Sequence, residues 1–261
     1  STYCSGDGII LPNNVTTAGG IFSSSAGLVF LNTSTGEIDL GASTAGTTYT
    51  IQYLVSNTYC QDSMTFNVTI LPDDDASFAY SASIFCNNEA NPLPTSVTMP
   101  GGTFSSSSGL IMASASTGEI DVAASTTGAP YYVVYTTNGA TCPSSDSVAI
   151  TVEAAPDATF MYAQNAYCEG SGTVLPSSIV TPGGTFSAPA GIVFVNSTTG
   201  EIDLDASTVG GPYTIQYTVS TTNCQQSETF DLTINGTDDA SFTFAANNFC
   251  NNEPNPLPSS I

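Results

Sequence analysis

Thr35-Gly36-Glu37-Ile38-Asp39 is the stretch of sequence on which the prediction of the fold rests. The same five residues return at 117–121 and at 199–203, each copy 82 residues after the last. Paired glycines and single tyrosines keep the same interval, at Gly19-Gly20, Gly101-Gly102 and Gly183-Gly184 and at Tyr49, Tyr131 and Tyr213. A fixed period of this length indicates a tandem array of one folded unit.

The seven cysteines follow the same period, because the gaps between them alternate between 56 and 26 residues. They are Cys4, Cys60, Cys86, Cys142, Cys168, Cys224 and Cys250. Regularly spaced cysteines in a chain rich in Ser, Thr and Gly are typical of an oxidising, extracellular environment. The chain has no histidine and no Cys-x-x-Cys pair, which disfavours a zinc site.

Two pairings of the cysteines are compatible with this spacing. Pairing across the 56-residue gaps keeps each disulfide within one repeat, as Cys4–Cys60, Cys86–Cys142 and Cys168–Cys224. Pairing across the 26-residue gaps would join each repeat to the next. Loop-closure entropy favours the two almost equally, by roughly 4 against 3.5 kcal/mol. Because the shorter gap contains the linker, we expect the pairing within repeats, and we expect the partner of Cys250 to lie beyond residue 261.

The charge composition excludes several classes of partner. The chain contains no Lys, Arg or His and 22 Asp and Glu residues. Binding to nucleic acid or to anionic lipid needs cations, so neither is expected. No ordinary base is present for a Ser or Cys nucleophile, and we expect no enzymatic activity. No apolar run approaches the roughly 20 residues of a membrane-spanning helix, so we expect no direct membrane insertion.

Short alternations of apolar and polar residues, separated by glycine and Ser/Thr turns, predict strands. Tyr49, Ile51 and Tyr53, for example, would share one face of a long strand. About seven such strands per repeat, with no helical periodicity, predict an antiparallel β-sandwich. The glycine-then-tyrosine entry to the long strand is similar to the tyrosine corner of immunoglobulin-like domains. We therefore predict an all-β tandem array of immunoglobulin-like antiparallel β-sandwich domains with an 82-residue repeat.

The predicted boundaries divide the chain into 1–72, 73–154, 155–236 and 237–261. An aromatic first strand opens the second repeat at residues 76–80, and its counterparts lie at 158–162 and 240–244. The first repeat lacks this strand, and 237–261 form the start of a fourth repeat. We expect a window of a longer chain. The alternative is strand exchange between copies, in which residues 240–250 supply the first strand.

Four segments carry a resemblance to a known family: Gly102-Thr103-Phe104-Ser105-Ser106, Thr117-Gly118-Glu119-Ile120-Asp121, Tyr213-Thr214-Ile215-Gln216-Tyr217 and Asp74-Asp75-Ala76-Ser77-Phe78. The chain resembles the giant immunoglobulin-like-repeat surface proteins of Bacteroidota that type IX secretion exports. The resemblance covers the whole chain and implies an extracellular fibre or adhesin, such as a gliding adhesin or a hook-like filament. The family's sorting domain is not in this sequence, so the export route is implied by the resemblance alone.

Two groups of acidic residues are candidates for binding calcium, a hard cation that prefers carboxylate oxygens. Glu37 and Asp39 lie two apart on one predicted strand, where a solvated outer face explains them as well. The second group lies in the linkers: Asp73, Asp74, Asp75, Asp157, Asp238 and Asp239. Calcium there would stiffen the array, whereas a solvated linker needs no ion, and no spacing matches an EF-hand loop. Calcium is the one candidate cofactor.

Two serines are candidates for O-glycosylation. Asp62-Ser63-Met64 and Asp146-Ser147-Val148 are similar to the signal used in Bacteroidota, which would be modified at Ser63 and Ser147. Asn-x-Ser/Thr sequons also occur, at Asn14, Asn32, Asn67, Asn196 and Asn235, but they arise easily in a Thr-rich chain.

Together these features predict a mechanical role outside the cell. We expect the structural shaft of an extracellular filament or cell-surface adhesin. Its partners would be further repeats of the same long chain and other copies in a homo-oligomeric filament or bundle. The alternative is a carbohydrate- or protein-binding module that reads ligands through the loops at one end of each sandwich.

Overall fold

The computed structural model describes residues 1–128, 130–238, 240–246, 248, 250–251 and 254–259. The chain divides into two compact units, Ser1–Ala154 and Ala155–Ile261. Within the described residues the regular structure is β throughout, apart from one turn of 3-10 helix at Ser5–Asp7. Each sheet takes its strands from a single 82-residue repeat of the sequence.

The first repeat contains seven strands: β1 (Thr2–Cys4), β2 (Ile9–Ile10), β3 (Ile21–Ser24), β4 (Val29–Asn32), β5 (Glu37–Asp39), β6 (Thr47–Ser56) and β7 (Gln61–Leu71). One sheet has the strand order β1-β7-β6-β3, and the other has the order β2-β5-β4. β1 runs parallel to β7, whereas the remaining pairs are antiparallel.

The second repeat contains eight strands: β8 (Phe78–Ala79), β9 (Ile84–Cys86), β10 (Ser96–Val97), β11 (Thr103–Ser106), β12 (Ile111–Ser114), β13 (Glu119–Asp121), β14 (Tyr131–Thr136) and β15 (Ser145–Glu153). The larger sheet has the order β11-β14-β15-β9, and the strands of the other layer pair as β8 with β10 and β12 with β13. The first strand is thus divided between the layers, since β8 joins β10 and β9 runs parallel to β15.

The third repeat contains nine strands: β16 (Phe160–Met161), β17 (Ala166–Cys168), β18 (Thr173–Val174), β19 (Ser178–Ile179), β20 (Thr185–Ser187), β21 (Val193–Asn196), β22 (Glu201–Asp203), β23 (Gly210–Ser220) and β24 (Gln225–Asn235). The sheet order β17-β24-β23-β20 repeats that of the other two repeats. The opposite layer consists of β18-β22-β21 together with the pair β16-β19.

Each sandwich core is formed by alternate residues of facing strands. In β14, Val133 and Tyr135 are buried, whereas Tyr132 between them is 54% exposed. Buried residues from both layers form one cluster, which in the second repeat consists of Ala76, Phe78, Tyr80, Phe85, Phe104, Leu110, Ile120, Val122, Val133, Tyr135, Ile150 and Val152. Two mainly antiparallel layers over one such core are the immunoglobulin-like architecture. The chain is a tandem array of immunoglobulin-like β-sandwiches, and the predicted fold is confirmed.

The tyrosine at the entry to each long strand makes the predicted corner. Its hydroxyl donates to a backbone carbonyl oxygen five residues earlier: Tyr49 to Thr44 at 2.7 Å, Tyr131 to Thr126 at 2.8 Å and Tyr213 to Thr208 at 3.0 Å. This is the hydrogen bond of a tyrosine corner, so that prediction is confirmed in all three repeats.

A second tyrosine, four residues later, holds the paired glycines in place. The Tyr135 hydroxyl donates to the carbonyl oxygen of Met99 at 2.5 Å and accepts from the backbone N–H of Gly102 at 2.8 Å. Tyr53 and Tyr217 make the same two bonds. A Cβ at Gly102 would lie 2.1 Å from a backbone carbonyl oxygen of β14. Only glycine fits at this close approach, which explains why the second glycine of the pair recurs with the period.

The repeated Thr-Gly-Glu-Ile-Asp stretch forms the turn and strand on which the second layer is assembled. Ile120 is fully buried in the core. Four residues after Asp121, the buried hydroxyl of Ser125 donates to the Asp121 carbonyl oxygen at 2.6 Å and accepts from the backbone N–H of Ile111 at 2.9 Å. The serines at the same position of the other repeats make the same bonds. The stretch therefore recurs because it forms a turn and a strand and supplies the carbonyl oxygen to which the buried serine is bonded.

We predict that Tyr135→Phe lowers the free energy of unfolding by about 1–2 kcal/mol, because it removes the shared partner of a part-buried N–H and a part-buried carbonyl group. Urea unfolding of the whole chain, followed by circular dichroism, measures the effect. The matched control is Tyr132→Phe on the same strand, whose ring is 54% exposed and which we expect to change stability by less than about 0.5 kcal/mol. Equal effects from the two variants would contradict the structural role of the Tyr135 hydroxyl.

Candidate functional site

A disulfide joins the first two repeats within the unit Ser1–Ala154. Cys4, at the end of β1, is bonded to Cys142, in the loop between β14 and β15, with Cα atoms 5.5 Å apart. The bond links positions 138 residues apart. A chain-entropy model assigns about 5 kcal/mol of stabilisation to closing a loop of this size.

The predicted bond between Cys4 and Cys60 is wrong, for a geometric reason. Cys4 pairs with Leu71, the last residue of β7, whereas Cys60 immediately precedes the first residue of that strand. The eleven residues of β7 rise about 3.3 Å each, so the two cysteines are roughly 35 Å apart. Disulfide-bonded Cα atoms lie about 4.4–6.8 Å apart, and Cys60 is an exposed free thiol.

The other two predicted pairs are wrong as well. Cys142 cannot bond to Cys86 because it is bonded to Cys4. Cys168 cannot bond to Cys224 because Cys168 is an exposed free thiol. Cys86 and Cys224 are buried, and neither is a free thiol.

Hydrogen bonds from the linker surround the disulfide. The Ser5 hydroxyl donates to the carboxylate of Asp73 at 3.0 Å and accepts from the backbone N–H of Asp73 at 3.2 Å. A Cβ at Gly6 would lie 2.8 Å from the same carboxylate. The first linker aspartate is therefore held against the turn that follows Cys4.

The next aspartate is held by the second repeat. Its backbone N–H donates to the carbonyl oxygen of Cys142 at 3.0 Å, and its carboxylate accepts from the buried hydroxyl of Thr137 at 2.8 Å. A Cβ at Gly139 would lie 1.8 Å from the Asp74 carboxylate, so a larger residue there would displace this carboxylate from its present position. Asp73 and Asp74 together fasten the linker to both repeats.

Two of the other predicted calcium ligands, Asp75 and Asp157, each accept from a neutral donor in their own repeat. Asp75 accepts from the backbone N–H of Ser77 at 3.0 Å, and Asp157 accepts from that of Thr159 at 2.9 Å. Ser77 lowers the pKa of the Asp75 carboxyl group, mainly through a hydrogen bond from its side chain and also through one from its backbone. Thr159 lowers the pKa of the Asp157 carboxyl group in the same way. Asp238 is exposed, and Asp239 lies outside the described residues. Calcium binding at these acids stays a prediction.

The other candidate calcium pair, Glu37 and Asp39 on the repeated stretch, is explained by its local surroundings. Asp39 accepts from the backbone N–H of Ala42 at 3.0 Å, and Glu37 is half-buried beside it on β5. Ile38 and Leu40 point into the core, at 4% and 0% exposure. This is the arrangement that a solvated outer face requires.

Among the described residues, the one group of three close ligand atoms is formed by Cys4, Asp73 and Cys142. The two sulfurs are bonded to each other, whereas a metal ligand is a thiolate. The oxidised group therefore offers a single carboxylate to an ion.

Both predicted glycosylation sites lie at accessible positions. Ser63 is on β7 and Ser147 is on β15, and both are exposed. The aspartate before each serine accepts from the serine backbone N–H, at 2.9 and 2.7 Å. Modification stays a prediction.

An open apolar groove of about 600 Å³ lies in the first repeat. Phe22, Gly36, Tyr53 and Phe66 are among the residues that line it. The Phe66 ring is 51% exposed, although it stands on a strand of the sandwich.

The other two repeats fill the same position with their first strand. In the third repeat, the Phe160 ring packs against Phe186, Tyr217 and Phe230, with centroids 5.1, 5.8 and 6.2 Å away. The Tyr162 hydroxyl donates to the carbonyl oxygen of Gly200 at 2.5 Å. Phe22, Tyr53, Phe66 and Gly36 are the residues 164 positions before these partners. The groove is therefore the place that a first strand occupies in a complete sandwich.

No protein-family model and no curated protein sequence matches the chain. Its fold is similar to that of solved structures. One is a SusE-like, surface-located polysaccharide-binding protein from the heparin utilisation locus of Bacteroides thetaiotaomicron, with 13% identity, a TM-score of 0.37, and coverage of 90% of this chain and 59% of that one. The chain thus spans about three fifths of that protein's length.

Two other similar structures come from Drosophila. Extracellular domains 3–5 of OTK give 10% identity, a TM-score of 0.31 and coverage of 90% and 93% of the two chains. N-cadherin EC1–4 gives 12% identity, a TM-score of 0.26 and coverage of 94% and 76%. These likenesses concern the fold alone. Among the described residues, no helix has the length and apolarity needed to span a membrane.

Sequence reasoning missed the bond between Cys4 and Cys142 because it considered only gaps between neighbouring cysteines. The signal was present in the strand pattern. Cys4 precedes the first long strand, β6, by about half of a repeat, whereas Cys60 lies in the turn between the two long strands. Those positions are at opposite ends of a sandwich, so the partner of Cys4 had to come from the turn of another repeat.

We predict that peptide mapping without reduction recovers a peptide containing Cys4 linked to one containing Cys142. Cleavage must use aspartate- or aromatic-specific proteases, because the chain has no Lys or Arg. Cys60, Cys168 and Cys250 are exposed free thiols and should react with an alkylating agent before any reduction. Recovery of a peptide joining Cys4 to Cys60 would overturn the assignment.

We also predict that alkaline pH unfolds the chain through its buried tyrosines. Burial raises the pKa of Tyr80 and Tyr162 well above the ordinary value of 10.0. In the unfolded chain these hydroxyls ionise near the ordinary pKa of 10.0, whereas in the folded chain they stay protonated to a higher pH. The folded state is therefore fully stable below pH 10.0 and loses stability as the pH rises beyond that value. Phenolate absorbance and circular dichroism, recorded together on thiol-alkylated protein, should show these hydroxyls ionising only as the β signal is lost. Complete ionisation of all tyrosines in a chain that keeps its β signal would contradict this.

Proposed function

We propose that the chain is a structural, load-bearing segment of an extracellular filament or cell-surface adhesin. The observation that carries the proposal is the disulfide between Cys4 and Cys142. Tension applied along the backbone on either side of these residues passes through the sulfur–sulfur bond. The intervening chain, which includes most of both repeats, is then shielded from the load.

The linker contacts support the same role. Asp73 is bonded to the first repeat and Asp74 to the second, so the linker inside the loop that the disulfide closes is held against both repeats. Regularly spaced cysteines are typical of extracellular proteins, and the lack of Lys and Arg removes the sites at which trypsin-like proteases cleave. The resemblance to giant surface proteins of Bacteroidota agrees with a filament or adhesin exported by type IX secretion, whose partners are further repeats and other copies.

A ligand-reading role is less well supported in the second repeat. The loop that would read a ligand contains Cys142 and Thr137, and both are engaged with the first repeat and the linker. The chain also lacks the His and Lys residues that ordinarily activate a Ser or Cys nucleophile. We therefore propose a mechanical role without enzymatic activity.

Single-molecule pulling tests the proposal. Handles are attached at residues 1 and 155 of the whole chain by chemistry that does not use cysteine. We expect the oxidised protein to extend only by the short segments outside the disulfide. Under a reducing agent, or in Cys4→Ser, we expect an additional length of about 480 Å, because 138 residue steps of roughly 3.5 Å are released.

The matched control is Cys60→Ser, which removes an exposed free thiol and should leave the limited extension unchanged. Full extension of the oxidised wild-type chain at low force would show that the disulfide does not carry the load, and the shaft proposal would then fail.

A further inference from the structure

Each repeat carries a patch of apolar and acidic side chains on the outer face of its smaller layer. We propose that this outer patch binds a different protein, whose contact face sets a lysine or arginine between apolar side chains. The proposal goes beyond the load-bearing role and does not depend on the disulfide, so pulling on single molecules does not test it. The outer patch consists of Leu11, Val29, Glu37 and Asp39 in the first repeat, Leu93, Ile111, Glu119 and Asp121 in the second, and Leu175, Val193, Glu201 and Asp203 in the third.

The register of the strands brings these residues together. In the third repeat, Asp203 of β22 faces Val193 of β21 on one side and Thr173 of β18 on the other. Alternate residues of a strand point to the same face, so Leu175, two positions after Thr173, lies on this face as well. Ile202, which points the other way, is fully buried. Because neighbouring strands are about 5 Å apart, the apolar side chains lie beside the carboxylates.

The other two repeats have the same arrangement. In the second repeat, Asp121 faces Ile111, and the backbone N–H of Ile120 donates to the carbonyl oxygen of Pro92 at 3.1 Å. Leu93, the next residue, therefore takes the place of the leucine in the third repeat. In the first repeat the aspartate faces a valine and an isoleucine on the two neighbouring strands.

The leucine of the outer patch is exposed in every repeat, at 56% for Leu11, 52% for Leu93 and 53% for Leu175. Packing explains why an apolar residue recurs in a core, but it does not explain a residue that lies half in solvent. The residue two positions earlier has changed, and it is Ile9, Asn91 and Thr173 in the three repeats. An exposed apolar residue that is kept while its neighbour changes indicates a binding contact.

The acids of the outer patch are only partly used by local hydrogen bonds. Oδ1 of each aspartate accepts from the backbone N–H three residues later, at 3.0 Å for Asp39, 2.9 Å for Asp121 and 2.9 Å for Asp203. Among the residues that the structure describes, Oδ2 of these three aspartates accepts no hydrogen bond. Each patch therefore presents negative charge and a free acceptor beside apolar surface.

The charge of the outer patch selects its occupant. A second copy of the chain has no Lys, Arg or His to offer and would bring its own acids against these. A calcium ion needs about six to eight oxygen ligands and gains nothing from the leucine. A lysine or arginine of another protein suits both components, because its aliphatic stem covers apolar side chains while its charged end meets the carboxylates.

A helical peptide tests the proposal on the whole chain. One face of the peptide carries leucine, lysine and leucine at positions i, i+4 and i+8, with alanine and glutamine elsewhere. Four residues of a helix rise about 6 Å, close to the roughly 5 Å between neighbouring strands. We expect the labelled peptide to bind, by fluorescence anisotropy, at about 0.15 M salt, where distant charges are screened. Peptides with glutamine for lysine, or with serine for both leucines, should bind at least about fivefold more weakly.

Variants of the chain locate the binding. The test variant replaces the three exposed leucines of the patches: Leu11→Ser/Leu93→Ser/Leu175→Ser. The control variant replaces one apolar side chain of similar exposure elsewhere in each repeat: Ile21→Ser/Tyr132→Ser/Met161→Ser. We expect the test variant to bind the peptide at least about fivefold more weakly and the control variant to bind it as the unaltered chain does. Unchanged binding by the leucine variant would overturn the proposal.

A second pair of variants separates the outer patch from the net charge. The test variant neutralises one acid of each patch: Asp39→Asn/Asp121→Asn/Asp203→Asn. Asparagine keeps an oxygen that accepts from the backbone, so the turn is retained. The control variant neutralises one exposed acid elsewhere in each repeat: Asp62→Asn/Asp146→Asn/Glu228→Gln. We expect the patch variant alone to weaken binding, by about fivefold. Equal weakening by both variants would show attraction to the net charge only and would overturn the proposal.

Discussion

The chain has no side-chain cation to pair with its 22 acidic residues, and the rest of the structure depends on this constraint. The acids that lie at junctions are satisfied by neutral donors: Asp75 by Ser77, Asp157 by Thr159 and Asp74 by Thr137. At Asp75 and Asp157 these bonds lower the pKa of the carboxyl group without a partner of opposite charge. Such bonds give the many Ser and Thr residues a structural use. They do not remove the net charge, which opposes compaction and association. The folded state must therefore be held by apolar cores and by covalent bonds.

The cores meet that requirement with aromatic residues, and the first strand of a repeat supplies an important part of them. In the third repeat, Phe160 contacts Phe186 and Tyr217, and in the first repeat the equivalents Phe22 and Tyr53 line an open groove. The corner tyrosine, the glycine contacts and the buried serine link of the first repeat are the same as those of the other two.

The repeat and the sandwich were predictable because period and alternation are properties of the local sequence. The tyrosine corner at Tyr49 and the close backbone approach at Gly102 are both present in the structure. The disulfide was not predictable in the same way, because it depends on which end of one repeat meets which end of the next. Cys4 and Cys60 are close in sequence relative to the period but lie at opposite ends of β7, so loop-closure entropy cannot identify the partner of either. The linker acids show the same limit, since spacing alone could not reveal that Asp73 and Asp74 bind different repeats.

The disulfide and the groove have complementary positions in the first repeat. Phe22, Tyr53 and Phe66 lie between Cys4 and Cys142 in sequence, within the loop that the disulfide closes. Tension applied to the chain outside Cys4 and Cys142 would cross directly between the two sulfurs. The aromatic residues that line the groove would carry almost none of it, although their own non-covalent packing is less complete than that of their equivalents in the third repeat.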